Sequence, residues 1–196
     1  MTQSTAIPPI RIDRHEFSGD MLIGLVSDTH IPEARRTIFD EVYAAMRGVD
    51  LILHAGDMHD SIVIDWLEEV APVLAARGNG DDGSSGRPVA PDDPRLAHNQ
   101  LLDIDGLLVG MTHEFPDREY VGATPIEGRM ERHFGGPVHV VVAGDTHVPV
   151  VTTMRGVLIV NSGSPTYPRN LQTQLGTVGY LEIHDGRVDA WIEQLH

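Results

Sequence analysis

MLIGLVSDTH, residues 21–30, runs without a charge from Met21 to Val26 and then breaks into Ser27-Asp28-Thr29-His30. An apolar run of that length bounded by polar residues predicts a buried strand. Its end leaves a carboxylate and an imidazole where the chain exits the core, and divalent metals accept both ligand types. Working outward, the pattern recurs. Residues 51–55 form a short apolar run that enters Gly56-Asp57-Met58-His59-Asp60. Residues 73–77 form a third, entering Gly78-Asn79-Gly80-Asp81-Asp82. Between them, Ile38, Phe39, Val42, Tyr43 and Met46 line one face of a helix predicted over 35–47 and stopped by Gly48. Ile62, Trp66, Leu67 and Val70 predict a second helix over 61–70. Strand and helix alternate three times, which favours parallel pairing in a layered α/β core.

The second half reads differently. Residues 80–94, GDDGSSGRPVAPDDP, must be a loop, and one this long inside a domain is usually functional or mobile. Three hairpins follow, turning at Asp105-Gly106, Arg155-Gly156 and Asp185-Gly186. The second strand of the first hairpin ends in Thr112-His113. Thr124-Pro125-Ile126-Glu127 reads as a capping box with proline at the first helical position, opening a helix to about residue 134. Residues 138–143 are almost wholly β-branched and end in Gly144-Asp145-Thr146-His147. Asn161-Ser162-Gly163-Ser164-Pro165 reads as a turn. Residues 1–20 are expected to be a polar leader, partly disordered, with 10–12 able to add to a sheet edge. Residues 21–196 are expected to form a single domain.

Composition removes several kinds of chemistry. The 196 residues include no cysteine and no lysine, so thiolate ligands, Cys nucleophiles, P-loop lysines and Schiff bases are all excluded. A formal net charge of −15 repels nucleic-acid backbones and anionic membranes. A small phosphate compound escapes that argument if bound metal inverts the local field. No apolar run reaches membrane-spanning length, and the first 20 residues carry no signal-peptide core.

Five apolar strands thus end in residues able to hold metal: Asp28/His30, Asp57, Asn79, His113 and Asp145/His147. Open sheets bind ligands outside the carboxyl ends of their strands, so these residues can converge there. As an ordered set, Asp28-x-His30, Gly56-Asp57, Gly78-Asn79, His113 and Gly144-x-x-His147 resemble the motifs of the calcineurin-like metallophosphoesterases. The short length, the hairpin before His113 and the Asn161–Pro165 turn are similar to the small prokaryotic phosphodiesterase branch. The resemblance implies a four-layer α-β-β-α sandwich of two mixed β-sheets flanked by helices. It implies two divalent ions, expected to be manganese, with iron, magnesium, nickel or zinc as alternatives. Asp28, His30 and His147 would hold the first ion, Asn79 and His113 the second, and Asp57 would bridge them. A metal-bridged hydroxide would then hydrolyse a small phosphodiester. A cytoplasmic location is expected, with no membrane partner and with self-association left open.

Two positions depart from the family pattern. Asp145 stands where the family has a histidine on the second metal, and its carboxylate is itself a ligand candidate. Gly80 stands where the family commonly has a histidine after the asparagine. His59, His54 and Asp81 are the candidates to replace that group, with His59 assigned a catalytic role and His54 read as a structural histidine satisfied by backbone. Arg87, in the long loop, is a candidate phosphate contact beside Asn79. His15, His98, His133, His139, His184 and His196 have no motif context and read as surface or structural. The competing expectation is a scaffold that keeps the fold without catalysis.

Overall fold

In the computed structural model, which describes residues 10–118, 123–170 and 174–196, the opening apolar run is a strand with every residue but Leu22 buried. In chain order the strands are β1 (Ile12–Phe17), β2 (Met21–Val26), β3 (Leu51–His54), β4 (Val73–Ala76), β5 (Leu96–Ala97), β6 (Asn99–Ile104), β7 (Leu107–Thr112), β8 (Val140–Ala143), β9 (Val150–Met154), β10 (Val157–Asn161), β11 (Thr177–His184) and β12 (Arg187–Gln194). The helices are α1 (Asp40–Ala45), α2 (Ile62–Glu68) and α3 (Ile126–Phe134). One sheet has the order β12-β11-β2-β3-β4-β5 and the other β1-β6-β7-β8-β10-β9. Both are mixed: β2, β3, β4 and β5 run parallel, as do β7, β8 and β10, while the hairpin partners run antiparallel.

Three separate cores show the layering. Alternate residues of the sheets, such as Ile23, Leu25, Leu53, Val109, Met111 and Val142, meet between them. The opposite face of the first sheet, with Val26, Ile52 and Ala75, packs under α1 and α2. The opposite face of the second, with Leu101, Val141 and Ile159, packs under α3. Strands buried on both faces favour apolar residues at nearly every position, which is why β2, β4 and β8, and β3 up to His54, read as continuous runs. The four-layer α-β-β-α sandwich of two mixed sheets is the observed fold. In the hairpin turns both residues have positive φ, as at Asp105 (49°) and Gly106 (88°), which matches the twist of the paired strands.

Three local expectations are corrected. Residues 12–17, placed in a polar leader, form β1 and pair parallel with β6 from Ile12↔Asn99 to Phe17↔Ile104. Ile12 and Phe17 pack on the two faces of that sheet, so the strand is held although its other residues are polar; residues 1–9 lie outside the described residues. The first helix begins at Asp40, not 35. Residues before it are bound to the neighbouring loops, with Ile31 N–H donating to Met58 O (2.9 Å) and Ala34 N–H to His30 O (2.7 Å), while Ile38 still reaches the core. The expected capping box is not formed: Pro125 is the N-cap of α3 and no side chain caps it. Among the described residues no helix is long and apolar enough to cross a membrane.

His54, at the end of β3, is fully buried and neutral. Its Nδ1 accepts the Gly56 N–H (3.3 Å), so Nε2 carries the proton toward Thr29 Oγ1 (3.2 Å). Burial pushes its pKa down to about 3, with the nearby His113 adding to the shift. Below the ordinary histidine value the unfolded chain takes up a proton that the folded chain refuses, so stability is full above about pH 6.5 and falls toward about pH 3. His54→Gln is therefore expected to flatten this acid limb. Denaturant midpoints compared at about pH 7 and about pH 4.5 check it, and an unchanged difference between them would refute it.

Candidate metal centre

Parallel pairing decides where the loops go. The carboxyl ends of β2, β3 and β4 lie side by side, as do those of β7, β8 and β10, so the loops carrying the five motifs emerge at matching edges of the two sheets. They are then bonded to one another. Asp28 N–H donates to Gly56 O (2.9 Å), His30 N–H to Asp57 O (3.0 Å) and Gly144 N–H to His113 O (2.9 Å). The Asn161–Pro165 turn, expected only as a turn, clamps the first and last motifs: Ser164 Oγ donates to Asp28 O (2.7 Å) and Asn161 Nδ2 to Gly144 O (2.6 Å). Thr166 Oγ1 adds a bond to Thr29 O (2.7 Å).

The backbone at the site is held in an uncommon conformation. Asp28 (φ 55°), His30 (47°), Asp57 (54°), His59 (69°), Asp145 (72°) and His147 (57°) all adopt the left-handed region without being glycine. Such residues persist only where surrounding contacts over-determine them, and they cluster at functional sites. Gly78 and Gly144 serve a different need. A Cβ at Gly78 would lie 2.1 Å from Asp57 Oδ1, and one at Gly144 would lie 2.0 Å from Ser27 Oγ.

The side chains meet around Asp28 and Asp57. Ligand atoms of Asp28, His30 and His147 lie within 4.8 Å of one another, as do those of Asp28, Asp57 and His113. Asp57 stands between two imidazoles, Oδ2 at 3.5 Å from His30 Nε2 and Oδ1 at 3.4 Å from His113 Nε2. His147 Nε2 is 3.5 Å from Asp28 Oδ1. The rings are aimed by their other nitrogens: His113 Nδ1 donates to Ala55 O (2.7 Å) and His147 Nδ1 to Tyr167 O (3.0 Å). Backbone acceptors on Nδ1 leave Nε2 facing the site, the usual arrangement behind a metal-binding imidazole.

His30 Nε2, His113 Nε2 and Asn79 Oδ1 are buried and have no hydrogen-bond partner. An orphaned buried polar atom costs about 1–3 kcal/mol. His30 Nε2 and Asn79 Oδ1 are potential ligand atoms, as is His113 Nε2 once it gives up its proton, and two buried carboxylates stand beside the two imidazoles, so a cation would satisfy these groups. The residues present therefore fit a divalent metal. Asp145 lies at the rim, its side chain about half exposed at 48 %, with Oδ1 3.9 Å from His113 Nε2. Its own N–H donates to Asp28 Oδ1 (3.2 Å).

The electrostatics follow from burial without compensating charge. Asp28 is fully buried, which pushes its pKa up to about 7. Burial pushes Asp57 upward as well, but the His113 imidazole and the Gly80 N–H on its Oδ1 (2.7 Å) outweigh this and hold it below the usual carboxylate range. Burial depresses His113, yet Asp57 and Asp28 beside it win, and the group is raised to about 10. Burial, together with the neighbouring His59 and His147 rings, lowers His30 to about 3. One histidine stands in for positive charge between two carboxylates.

The two departures acquire a structural meaning. A Cβ at Gly80 would lie 2.5 Å from His59 Cδ2 and 2.6 Å from His59 Nε2. The His59 ring therefore occupies the space where a side chain at position 80 would begin. It lies against His30 at a tilt, ring centroids 4.1 Å apart, and its Nδ1 is 2.9 Å from Glu33 Oε2. Asp81 is not free to act in that place. Its oxygens accept the N–H groups of His59 (2.8 Å), Gly78 (3.0 Å) and Met58 (3.3 Å), so it shapes the loop. Arg87 pairs through Nη1 with Glu33 Oε1 (2.6 Å), which ties the long loop to the His59 side of the site. Glu33 gave no signal in the sequence, because an exposed glutamate after a proline has no pattern. His98 and His133, read as surface or structural, border a cleft that reaches Asn79 and His113.

The profile of the calcineurin-like phosphoesterase superfamily domain matches residues 21–186. A probable metallophosphoesterase of Methanothermobacter thermautotrophicus is 37 % identical over 173 residues, 88 % of this chain and 91 % of that protein. The structure of vacuolar protein sorting 29 from Cryptosporidium parvum superposes with a TM-score of 0.60 at 16 % identity, covering 90 % of this chain and 98 % of that one. A structure described as a novel archaeal phosphodiesterase superposes with a TM-score of 0.57 at 24 % identity, covering 88 % of this chain and 100 % of that one.

Proposed function

The chain belongs to the calcineurin-like phosphoesterase superfamily, and from that premise we propose that it hydrolyses small phosphodiesters with two divalent ions. The observation that supports this most is the set of buried, unpartnered atoms His30 Nε2, His113 Nε2 and Asn79 Oδ1, the two imidazoles lying beside Asp28 and Asp57. In this reading Asp28, His30 and His147 would hold one ion, Asn79, His113 and Asp145 would hold the other, and Asp57 would serve both. When bound, the ions supply an activated water and neutralise charge on the phosphoryl oxygens, so no protein nucleophile is needed. His59 contacts the phosphoryl group or its leaving oxygen from the space above Gly80, and Glu33 fixes the ring. Arg87 stands next to His59 through the same carboxylate and contributes positive potential to the substrate phosphate. The archaeal phosphodiesterase of the same fold is consistent with the diester preference.

Asp145 gives the preference a physical reason. With Asp28, Asp57 and Asp145 ionised, three negative charges oppose the four positive charges of two divalent ions. A histidine at 145 would leave one more positive charge and favour dianionic monoesters. The carboxylate also suits manganese, iron or magnesium better than softer ions.

Metal content per chain, measured together with hydrolysis of bis(p-nitrophenyl) phosphate under manganese, magnesium, iron, nickel and zinc, tests the reading. Two ions per chain and turnover with manganese are expected, with p-nitrophenyl phosphate cleaved more slowly. No bound metal and no turnover under any ion would overturn it in favour of a scaffold.

A further inference from the structure

On the Asn79 and His113 side of the site a cleft of about 360 Å³ opens between the loops after β4 and β7. That is the size of a small-molecule pocket. Two of its walls are imidazoles that hold no metal in the reading above. His133 Nδ1 lies 3.2 Å from both Asn99 Oδ1 and Thr112 Oγ1. With the amide oxygen accepting, Nδ1 carries the proton and Nε2 presents a lone pair. His98 is set the other way, since its Nδ1 accepts the Arg11 N–H (3.3 Å) and Nε2 carries the proton. Burial lowers both groups, with Arg132 and Arg129 adding to it at His133 and Arg77 at His98, so both are neutral near neutral pH. The cleft thus holds one acceptor and one donor in fixed places, neither engaged by another described residue.

Charge limits what can enter. Asp82 and Glu114 also line the cleft, in a chain of net charge −15. Arg77 does not offset them for a ligand, because its guanidinium donates to the carbonyls of Ala90 (2.8 Å), Pro91 (3.1 Å) and Asp81 (3.4 Å). Among the described residues that line the cleft Arg77 is the one arginine, so a second phosphate on the substrate would face carboxylates there with no unengaged guanidinium.

We propose that this cleft receives one ester group of the substrate, and that this group is a neutral, nucleoside-sized alcohol bearing both a hydrogen-bond donor and an acceptor. The proposal rests on the phosphodiesterase reading and adds the substrate class to it. Three probes separate the two: thymidine 5′-(p-nitrophenyl phosphate), methyl p-nitrophenyl phosphate, and thymidine 3′-phosphate 5′-(p-nitrophenyl phosphate). In each the same bond breaks: the oxygen of water joins phosphorus, p-nitrophenolate leaves, and one proton goes to solvent.

With the full manganese-loaded chain, kcat/KM for the thymidine ester is expected to exceed that for the methyl ester by about tenfold, mostly through KM, the effect of one or two neutral hydrogen bonds. The added 3′-phosphate is expected to remove that advantage. His133→Phe keeps the ring and removes both nitrogens, and should bring the thymidine-to-methyl ratio close to one. If that variant does not fold, His98→Phe, at a more exposed position between β5 and β6, makes the same test. Equal kcat/KM for the thymidine and methyl esters in the wild-type chain overturns the cleft assignment and leaves the phosphodiesterase reading intact. A 3′-phosphate ester used as well as the thymidine ester overturns the requirement for a neutral group. No turnover of any probe under any ion overturns both.

Discussion

Asp57→Asn is expected to abolish phosphodiester hydrolysis, by at least on the order of 10³-fold, while leaving the fold in place. Asp57 stands between two candidate ligand imidazoles, with one oxygen toward His30 and the other toward His113. Asparagine keeps the shape and can still accept the Gly80 N–H. It replaces the other oxygen with an N–H₂ that faces the lone pair of an imidazole, and it removes the charge that would bridge two ions. Without metal, the wild-type chain pays for two carboxylates facing each other, Asp28 being fully buried. The substitution relieves that repulsion but also removes the charge that pairs with His113, so a modest fall of the melting temperature in chelator is expected. The gain in melting temperature on adding manganese, a mass-action effect of binding to the folded state alone, should shrink or vanish. Metal analysis, a melting curve with and without manganese and a kinetic assay check the three parts together. A variant that keeps two ions and more than a tenth of the rate would refute the bridging role.

Restoring a histidine at position 80 is the second case, and it should fail. Gly80→His alone is expected to lower activity by about 10²-fold, because its Cβ would lie 2.5–2.6 Å from the His59 ring. One of the two side chains must leave, and the displaced His59 loses the Glu33 contact that holds it. His59→Ala alone should cost a similar factor on diesters with poor leaving groups and less on aryl esters, where little help is needed at the leaving oxygen. The pair Gly80→His with His59→Gly frees the space and should recover part of the loss. That non-additivity is the readout, since two independent lesions would multiply. If Gly80→His is as active as the wild-type chain, His59 does not occupy a working position.

Glycine at 80 looked like a loss when read in one dimension. The residue that fills the gap lies in another loop, 21 positions earlier in the chain, and only the packing of the loop after β3 against the loop after β4 brings the two together. The same holds for Glu33, whose carboxylate orients His59 and holds Arg87. Asp81, by contrast, had the right type and neighbourhood for chemistry, yet its oxygens are taken by three backbone N–H groups. A carboxylate in a Gly-Asn-Gly-Asp turn looks the same in sequence whether it faces a substrate or its own loop.

What the chain states by itself is periodic or local. Continuous apolar runs at β2, β3, β4 and β8 mark strands covered on both faces, because a strand with one wet face must alternate. Asp-Gly and Arg-Gly turns mark the hairpins, because two successive positive φ values suit few residues. The ligand candidates are legible because each sits directly after such a run, where parallel strands end at a common edge. The tertiary structure alone decided the rest. Residues 12–17 became a strand because β6 offered an edge and both ends of the segment found apolar cover. Asp145 came to the rim, His59 came to the place above Gly80, and His98 and His133 came to a cleft beside Asn79 and His113. Each of those outcomes depends on contacts between segments far apart in the chain, and no local pattern encodes the distance between two loops.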